Sequence, residues 1–519
     1  MIARTMIRKA LLAILPLVLS AQQHPRDKEI KDADTRAWWH LTENLSGDDR
    51  EGRDTGSAAY ERAAEDVAKL FAAQQLKPAG ENGTYFQAVP LHEVSVTNAS
   101  FEMIGADGTR TALKFLQEIS ITASASLPAS FQGGLVFRGY CSAAEMGDVK
   151  DKIAVCFNST RKGMTTGAQR MQAARGGGAL GVVLVDDPYF LIEPPRWPVA
   201  YARAVTFATA KPSAAALPAM RLSAAAFGTF LKGSGGNAEE LLSAGGHMQP
   251  LPAFDMNATL RVTTHTAQRD YSSRNVLAVL PGTDAKLKAE YIVIAAHLDG
   301  YGYGEPVDGD KLYNGTLDDA AYVALLIQFA VRQQGHGLRR SVLFCAFTGE
   351  EKGLLGANWF TQHLTVPKSD LAADVNLDQL RPLFPLHILT ALAVNDSTLG
   401  ETARSVGAAM HIEIRPDPEP ERRLLQRADH WPFMQIGVPA IGFIFGYDSG
   451  TDAEKRYREW YRVRYHRPQD DLTQPMDFEA ATKFNAFFYK LVGTLADADE
   501  RPRWLDKSRV PGDSGLNRM

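Results

Sequence analysis

The sequence predicts an α/β protein: a mostly parallel mixed sheet with helices on both faces, carrying a smaller β-rich α/β unit. Three observations predict it. Beyond residue 275, short apolar runs bounded by charge and glycine alternate with helix-compatible stretches, the pattern of parallel strands joined by helices. A chain of 519 residues exceeds what one hydrophobic core usually supports, so a second unit is expected. The region 129–254 is compositionally distinct from its flanks and carries its own strand and helix signals.

Taken in order, residues 1–21 read as a secretory signal. Arg4, Arg8 and Lys9 form a basic start, residues 10–19 an apolar stretch, and Ser20 and Ala21 a small-residue cleavage point. No cysteine sits there for lipid attachment, and no later stretch is long and apolar enough to cross a bilayer. The expectation is export to the periplasm or the extracellular space, with no membrane partner once the signal is removed. A composition of 45% hydrophobic and 22% charged residues suits an ordinary globular protein, and a formal charge of -4 argues against nucleic acid. Three cysteines are too few for a disulfide scaffold. Cys141 and Cys156 are close enough in sequence to pair in an oxidising compartment. Cys345, in an apolar run, reads as a small buried residue.

Residues 22–128 form the first part of the main domain. Helices are expected at 38–45 and 58–76, the second with Tyr60, Ala64, Val67, Leu70 and Phe71 on one face and Pro78 and Gly80 as its stop. Short strands follow over 89–127. The unit at 129–254 has strands at 134–137, 153–157 and 179–185 and a helix at 168–175. Gly176-Gly177-Gly178 stops that helix and is no phosphate loop, because such a loop precedes its helix. The stretch 211–218 reads as surface connection. Residues 255–500 complete the main domain, with strands at 275–280, 291–296, 341–347 and 440–444 and helices at 319–332 and 477–495. A polar tail, 501–519, closes the chain. In it Gly512-Asp513-Ser514-Gly515 resembles a serine-protease nucleophile segment, but too little chain follows to build such a domain.

The chemistry gathers at strand ends, where open α/β sheets place their sites. Glu350-Glu351 follows the strand at 341–347, so one carboxylate can hold a metal while its neighbour handles a proton. His297 and Asp299, two apart on extended backbone, point the same way, so Asp299 can orient a ligating His297. Asp318-Asp319 precedes a helix, where capping is the ordinary role. Asp378 follows a short apolar approach, and His466 lies in a loop with no evident core role. Nitrogen and oxygen donors without thiolates suit zinc, with manganese or cobalt as substitutes. Two metals require a carboxylate that bridges them, and an unligated carboxylate must carry the proton.

These segments, in this order, resemble metallopeptidase family 28, the co-catalytic zinc peptidases that include leucyl aminopeptidases and glutamate carboxypeptidases. The resemblance implies the zinc-exopeptidase, phosphorylase/hydrolase-like fold. It also implies two zinc ions, one held by His297, Asp318 and Asp378 and the other by Asp318, Glu351 and His466. Asp318 would bridge, Glu350 would act as general base on a metal-bridging water, and Asp299 would support His297. Ala428-Asp429-His430-Trp431-Pro432-Phe433 is similar to a family landmark, so Asp429 and His430, with Arg427, are the expected substrate contacts. The 129–254 unit is similar to the family's inserted protease-associated domain. Departures stand at Ala321-Tyr322 where Ser-Gly is usual, at Ala428 where Ser is common, and at Leu424, Leu425 and Gln426 where an oxyanion-assisting aromatic often sits.

The function implied is a secreted di-zinc exopeptidase acting on peptides, foremost an aminopeptidase. Glu305, Asp308 and Asp310 are available for a substrate ammonium, and Arg422, Arg423 and Arg427 for a substrate carboxylate, as a carboxypeptidase or dipeptidase needs. A single-zinc glutaminyl cyclase needs fewer ligands than are present. A non-catalytic binding protein of this fold would have lost ligands or the base. Oligomeric state is not legible.

Overall fold

The computed structural model describes residues 24–211, 216–378 and 380–506. The signal reading of residues 1–21, part of the 211–218 connection and the serine-containing tail segment lie outside them. No helix among the described residues is long and apolar enough to cross a membrane.

The site is built on the strand sequence Glu413–Arg415, Ile388–Leu392, Ala440–Gly446, Leu371–Asn376, Tyr291–His297, Ser341–Phe347 and Ala253–Leu280, in that spatial order. From Ala440–Gly446 to Ser341–Phe347 the neighbours are parallel, while the Ile388–Leu392 and Ala253–Leu280 strands flank them antiparallel. Alternation along one central strand explains the layering. Ile292, Ile294 and Ala296 enter one core, and Val293 and Ala295 enter the other. The first core is covered by helices Ala33–Ser46, Ala58–Ala73, Ala321–Arg332 and Phe478–Asp497. The second is covered by Leu355–Gln362 and His430–Gln435. Residues 321–330 are buried all round, because that helix lies between the sheet and the N-terminal helix, with Trp38 donating to the Ala321 carbonyl at 2.6 Å.

Sequence patterning places Tyr291–His297, Ser341–Phe347 and Ala440–Gly446 to within two residues; it misses Gly302–Val307, Asp310–Tyr313, Leu371–Asn376, Ile388–Leu392 and Glu413–Arg415, and two further features differ. Short strands were expected over 89–127, whereas Phe86–Gly105 is one 20-residue strand. It pairs along nearly its whole length with the 28-residue strand Ala253–Leu280. The 254/255 boundary therefore falls inside a continuous strand that runs from one unit into the other. Periodicity cannot reveal this, since a strand leaving one core and entering another changes the face it buries. The 129–254 unit carries a parallel set Ser130–Arg138, Lys152–Asn158, Gly181–Asp186 and Ala219–Leu222; one small core lies within it, while its larger core also takes Val94, Phe101, Ile119, Leu260 and Val262 from outside those bounds. Cys141 and Cys156 form a disulfide within it, and Cys345 is free and buried.

Candidate functional site

Four of the side chains sit at or just beyond the carboxyl end of a parallel strand, while His466 follows the helix Asp452–Val463. His297 ends Tyr291–His297, Glu350 and Glu351 follow Ser341–Phe347, and Asp378 follows Leu371–Asn376. Asp318 lies in the turn that enters the Ala321–Arg332 helix and is joined to Asp319 by a cis peptide. Gly315 in that turn has φ +62°, and a Cβ there would stand 2.5 Å from the Asp318 carbonyl oxygen, so only glycine fits.

Asp318 is the centre of the arrangement. Its Oδ1 is 3.5 Å from His297 Nε2 and its Oδ2 is 3.4 Å from His466 Nε2. Glu351 Oε2 is 3.3 Å from the same His466 nitrogen, and Glu350 Oε2 is 3.9 Å from His297 Nε2. His297, Asp318 and Asp378 form one group with donor atoms within 4.8 Å of one another, and Asp318, Glu351 and His466 form a second. The two groups share Asp318.

These residues fit metal ions. His297 Nε2 and Asp318 Oδ2 are buried without a hydrogen-bond partner, which is costly unless something else satisfies them. Two ligands each about 2.0–2.1 Å from a tetrahedral zinc stand about 3.3 Å apart, longer than a hydrogen bond. The 3.3–3.5 Å spacings around Asp318 match that separation. All donors are nitrogen or oxygen, the set that suits zinc, manganese or cobalt.

The electrostatics are those of an anionic cage. Burial pushes Glu350 well above the usual carboxylate range; His297 opposes the shift, and Asp378 and Glu351 reinforce it. Glu351 is raised by burial and by Asp318. Burial works the same way on Asp318, but Arg381 and the two histidines outweigh it and hold that carboxyl well below its ordinary value. His466 is pushed down to about 4, chiefly by burial, so its ring is neutral at pH 7 and free to act as a ligand.

The supporting contacts were mostly invisible in the sequence. Arg381, fully buried, places Nη2 3.4 Å from Asp318 Oδ1, donates to the Leu317 carbonyl at 2.8 Å and lies over the Trp460 ring. Asp470 accepts from the Leu317 and Asp318 amides, each at 3.0 Å, and so fixes the Asp318 backbone. Tyr301 hydroxyl is 2.9 Å from His466 Nδ1. Arg53 donates to the carbonyls of Leu45, Leu298, Asn314 and Gly315, tying the N-terminal segment to two site loops. Asp470, four residues after His466, was the one signal within reach; the others carry no local mark.

Two expectations are corrected in detail. Asp299 helps His297 through its backbone carbonyl, 3.0 Å from Nδ1, while its carboxylate lies 3.8 Å from that nitrogen. That carboxylate instead accepts from Thr55 Oγ1 at 2.9 Å and from the Glu350 amide at 3.0 Å, so it anchors the base as well. Asp429 and His430 are each 1% exposed, at the start of the short helix whose Phe433 and Met434 pack into the second core. Arg427 is accessible in part, but Glu193 of the inserted unit accepts from both its terminal nitrogens, at 2.7 and 3.0 Å. Arg422 is buried and donates to Tyr457 hydroxyl, and the Glu305 carboxylate is held by Gln117.

Comparison with known families adds one decisive match: the model of peptidase family M28 aligns with residues 275–492, which contain every side chain of the two donor groups. The chain carries a peptidase family M28 domain. Among curated relatives, this chain is 26% identical over 257 residues to a probable zinc metalloprotease of Pyrenophora tritici-repentis, covering 44% of this chain and 58% of that protein. It is 23% identical over 251 residues to leupeptin-inactivating enzyme 1 of Streptomyces exfoliatus, covering 46% and 52%. The chain thus spans about half the length of the curated relatives it matches. Among solved structures, an aminopeptidase from Aneurinibacillus sp. strain AM-1 superposes with TM-score 0.61 at 16% identity, over 90% of this chain and 95% of that one. A zinc aminopeptidase from Bacillus subtilis gives 0.57 at 16%, over 88% and 94%. These two likenesses establish the α/β fold over most of this chain.

Proposed function

We propose that the protein is an exported di-zinc exopeptidase, releasing N-terminal residues from peptides. One observation carries the reading: the two oxygens of a single buried carboxylate, Asp318, face two different histidines, each at about the spacing of co-ligands. His297, Asp318 and Asp378 would hold one ion, and Asp318, Glu351 and His466 the other. Zinc bound there supplies Lewis-acid polarisation of the scissile carbonyl and acidifies water.

The residues of the chain do the rest. Glu350, its backbone fixed by Asp299 and its pKa raised by burial, takes a proton from the attacking water and returns it to the leaving amine nitrogen. The Asp299 carbonyl holds the His297 ring so that Nε2 faces Asp318, and Tyr301 holds the His466 ring likewise. Asp470 and Arg381 keep Asp318 from rotating out of the shared position.

The aminopeptidase form is favoured by the names of the structural neighbours, and export by the leader composition. The 129–254 unit, with its own set of parallel strands, is assigned as a protease-associated insertion. The test compares aminoacyl-arylamides with N-blocked peptides, alongside metal counting. Cleavage of only the blocked peptides favours a carboxypeptidase. A single tightly bound zinc with cyclisation of N-terminal glutamine favours a cyclase.

A further inference from the structure

A cavity of about 770 Å³ lies between the inserted unit and the segment 421–427, and its lining holds seven arginines against four carboxylates. Several of these charges are already matched. Arg161 pairs with Asp187 at 3.1 Å and Arg221 with Asp186 at 2.7 Å, both within the inserted unit. Buried Arg170 is absorbed by the Tyr140 and Ser159 carbonyls and Asn158.

Of the four guanidiniums that remain, Arg423 is exposed and the other three stand around one lining carboxylate. Glu193 accepts from Arg427, stands 3.4 Å from Arg196 Nη2 and 3.8 Å from Arg422 Nε. Burial would raise its pKa, but the three arginines outweigh burial and hold it at about 2. Arg422 also has Glu419 at 3.5 Å, a carboxylate that Arg458 shares. The match is incomplete: Arg422, 5% exposed, keeps Nε and Nη2 without a hydrogen-bond partner, and Arg196 keeps Nη1. Buried guanidinium nitrogens of this kind call for an oxyanion, and the fork of an arginine fits a carboxylate in particular.

The cavity also adjoins the donor cluster. The Arg196 guanidinium lies 4.6 Å over the Tyr465 ring, Arg427 Nη2 is 3.4 Å from Tyr465 hydroxyl, and Tyr465 packs 3.7 Å from the His466 ring. A ligand filling the cavity is therefore one aromatic ring away from a candidate metal ligand.

We propose that this cavity is a subsite for a carboxylate of the bound peptide, either an acidic side chain or the free C-terminus, received by Arg196 and Arg422, with Arg427 holding Glu193 beside them. It rests on the peptidase reading for the identity of the ligand. The subsite makes the inserted unit part of substrate selection, because Arg196 and Glu193 come from it while Arg422 and Arg427 come from the main domain.

The test uses the full chain freed of metal and four tetrapeptides: glutamate or glutamine at the third position, each with a free or an amidated C-terminus. Calorimetric titration of the metal-free protein gives Kd without turnover. The expected result is at least about tenfold tighter binding of a carboxylate-bearing peptide than of the doubly neutral one, the advantage shrinking as salt rises. Which single carboxylate suffices identifies its source. Arg196→Gln should bring the ratio close to one, and Arg422→Gln replaces it if the first variant fails a thermal-melt check. Absence of any carboxylate preference in the wild type, whether through equal or absent binding, overturns the proposal, as does a preference that survives both variants. Turnover of the same peptides with zinc restored is read separately: preferential binding with no cleavage sinks the peptidase reading and leaves the subsite standing.

Discussion

Replacing Glu350 by glutamine keeps the side chain's size and removes only its capacity to carry a proton. The geometry says why the fold and the metals should tolerate it. The backbone amide of Glu350, not its side chain, is tied to Asp299, and its carboxylate stands 3.9 Å from His297 Nε2, outside hydrogen-bond range. A buried carboxyl whose pKa is raised well above its ordinary value gains little stability from being ionised, so the melting temperature of the metal-free protein should hold or rise. Turnover is another matter. A positioned general acid–base is worth roughly 10²–10⁴-fold, equivalent to about 3–5 kcal/mol of transition-state stabilisation. The assay is kcat on an aminoacyl-arylamide, with metal content of the same preparation measured by atomic emission. The expected outcome is a loss of kcat in that range with metal stoichiometry unchanged. Glu350 also belongs to a donor group with His297 and Glu351, so a contrary outcome is concrete. If metal leaves together with activity, Glu350 is a ligand and the proton carrier must be sought elsewhere.

Three further outcomes are expected. Asp318→Ala should weaken both metal sites, whereas Glu351→Ala should weaken one; competitive chelator titration decides, and a single affected site for Asp318 contradicts the shared role. Asp470→Asn leaves the metal donors in place but loosens the amides of Leu317 and Asp318, so metal affinity should fall about 10–100-fold with the circular dichroism spectrum unchanged; unaltered affinity would show that Arg381 alone fixes the loop. Glu193 has a pKa of about 2 against an ordinary 4.5, so its contribution is fully present above pH 4.5 and is lost as pH falls through about 2. That difference corresponds to about 3 kcal/mol. Thermal melts between pH 5 and 2 should show Glu193→Gln less stable than the wild type at pH 5 and converging with it near pH 2; parallel curves would remove Glu193 from the acid response.

The sequence by itself determined three of the parallel strands of the catalytic half and the order of acids and histidines along it. The reason is physical: burial on two faces writes continuous apolar runs into strands such as Tyr291–His297 and Ser341–Phe347, and a site at their carboxyl ends follows from parallel topology. Only the tertiary structure decided that the two oxygens of Asp318 face different histidines, and that Arg381 and Asp470 hold it there. It also decided that Asp429 and His430 are buried, and that Glu193 and Arg196 meet Arg427 and Tyr465. These are contacts between residues far apart in the chain. They are set by how layers pack and how two long strands, Phe86–Gly105 and Ala253–Leu280, carry one unit against the other, and no local pattern of residues encodes that closure.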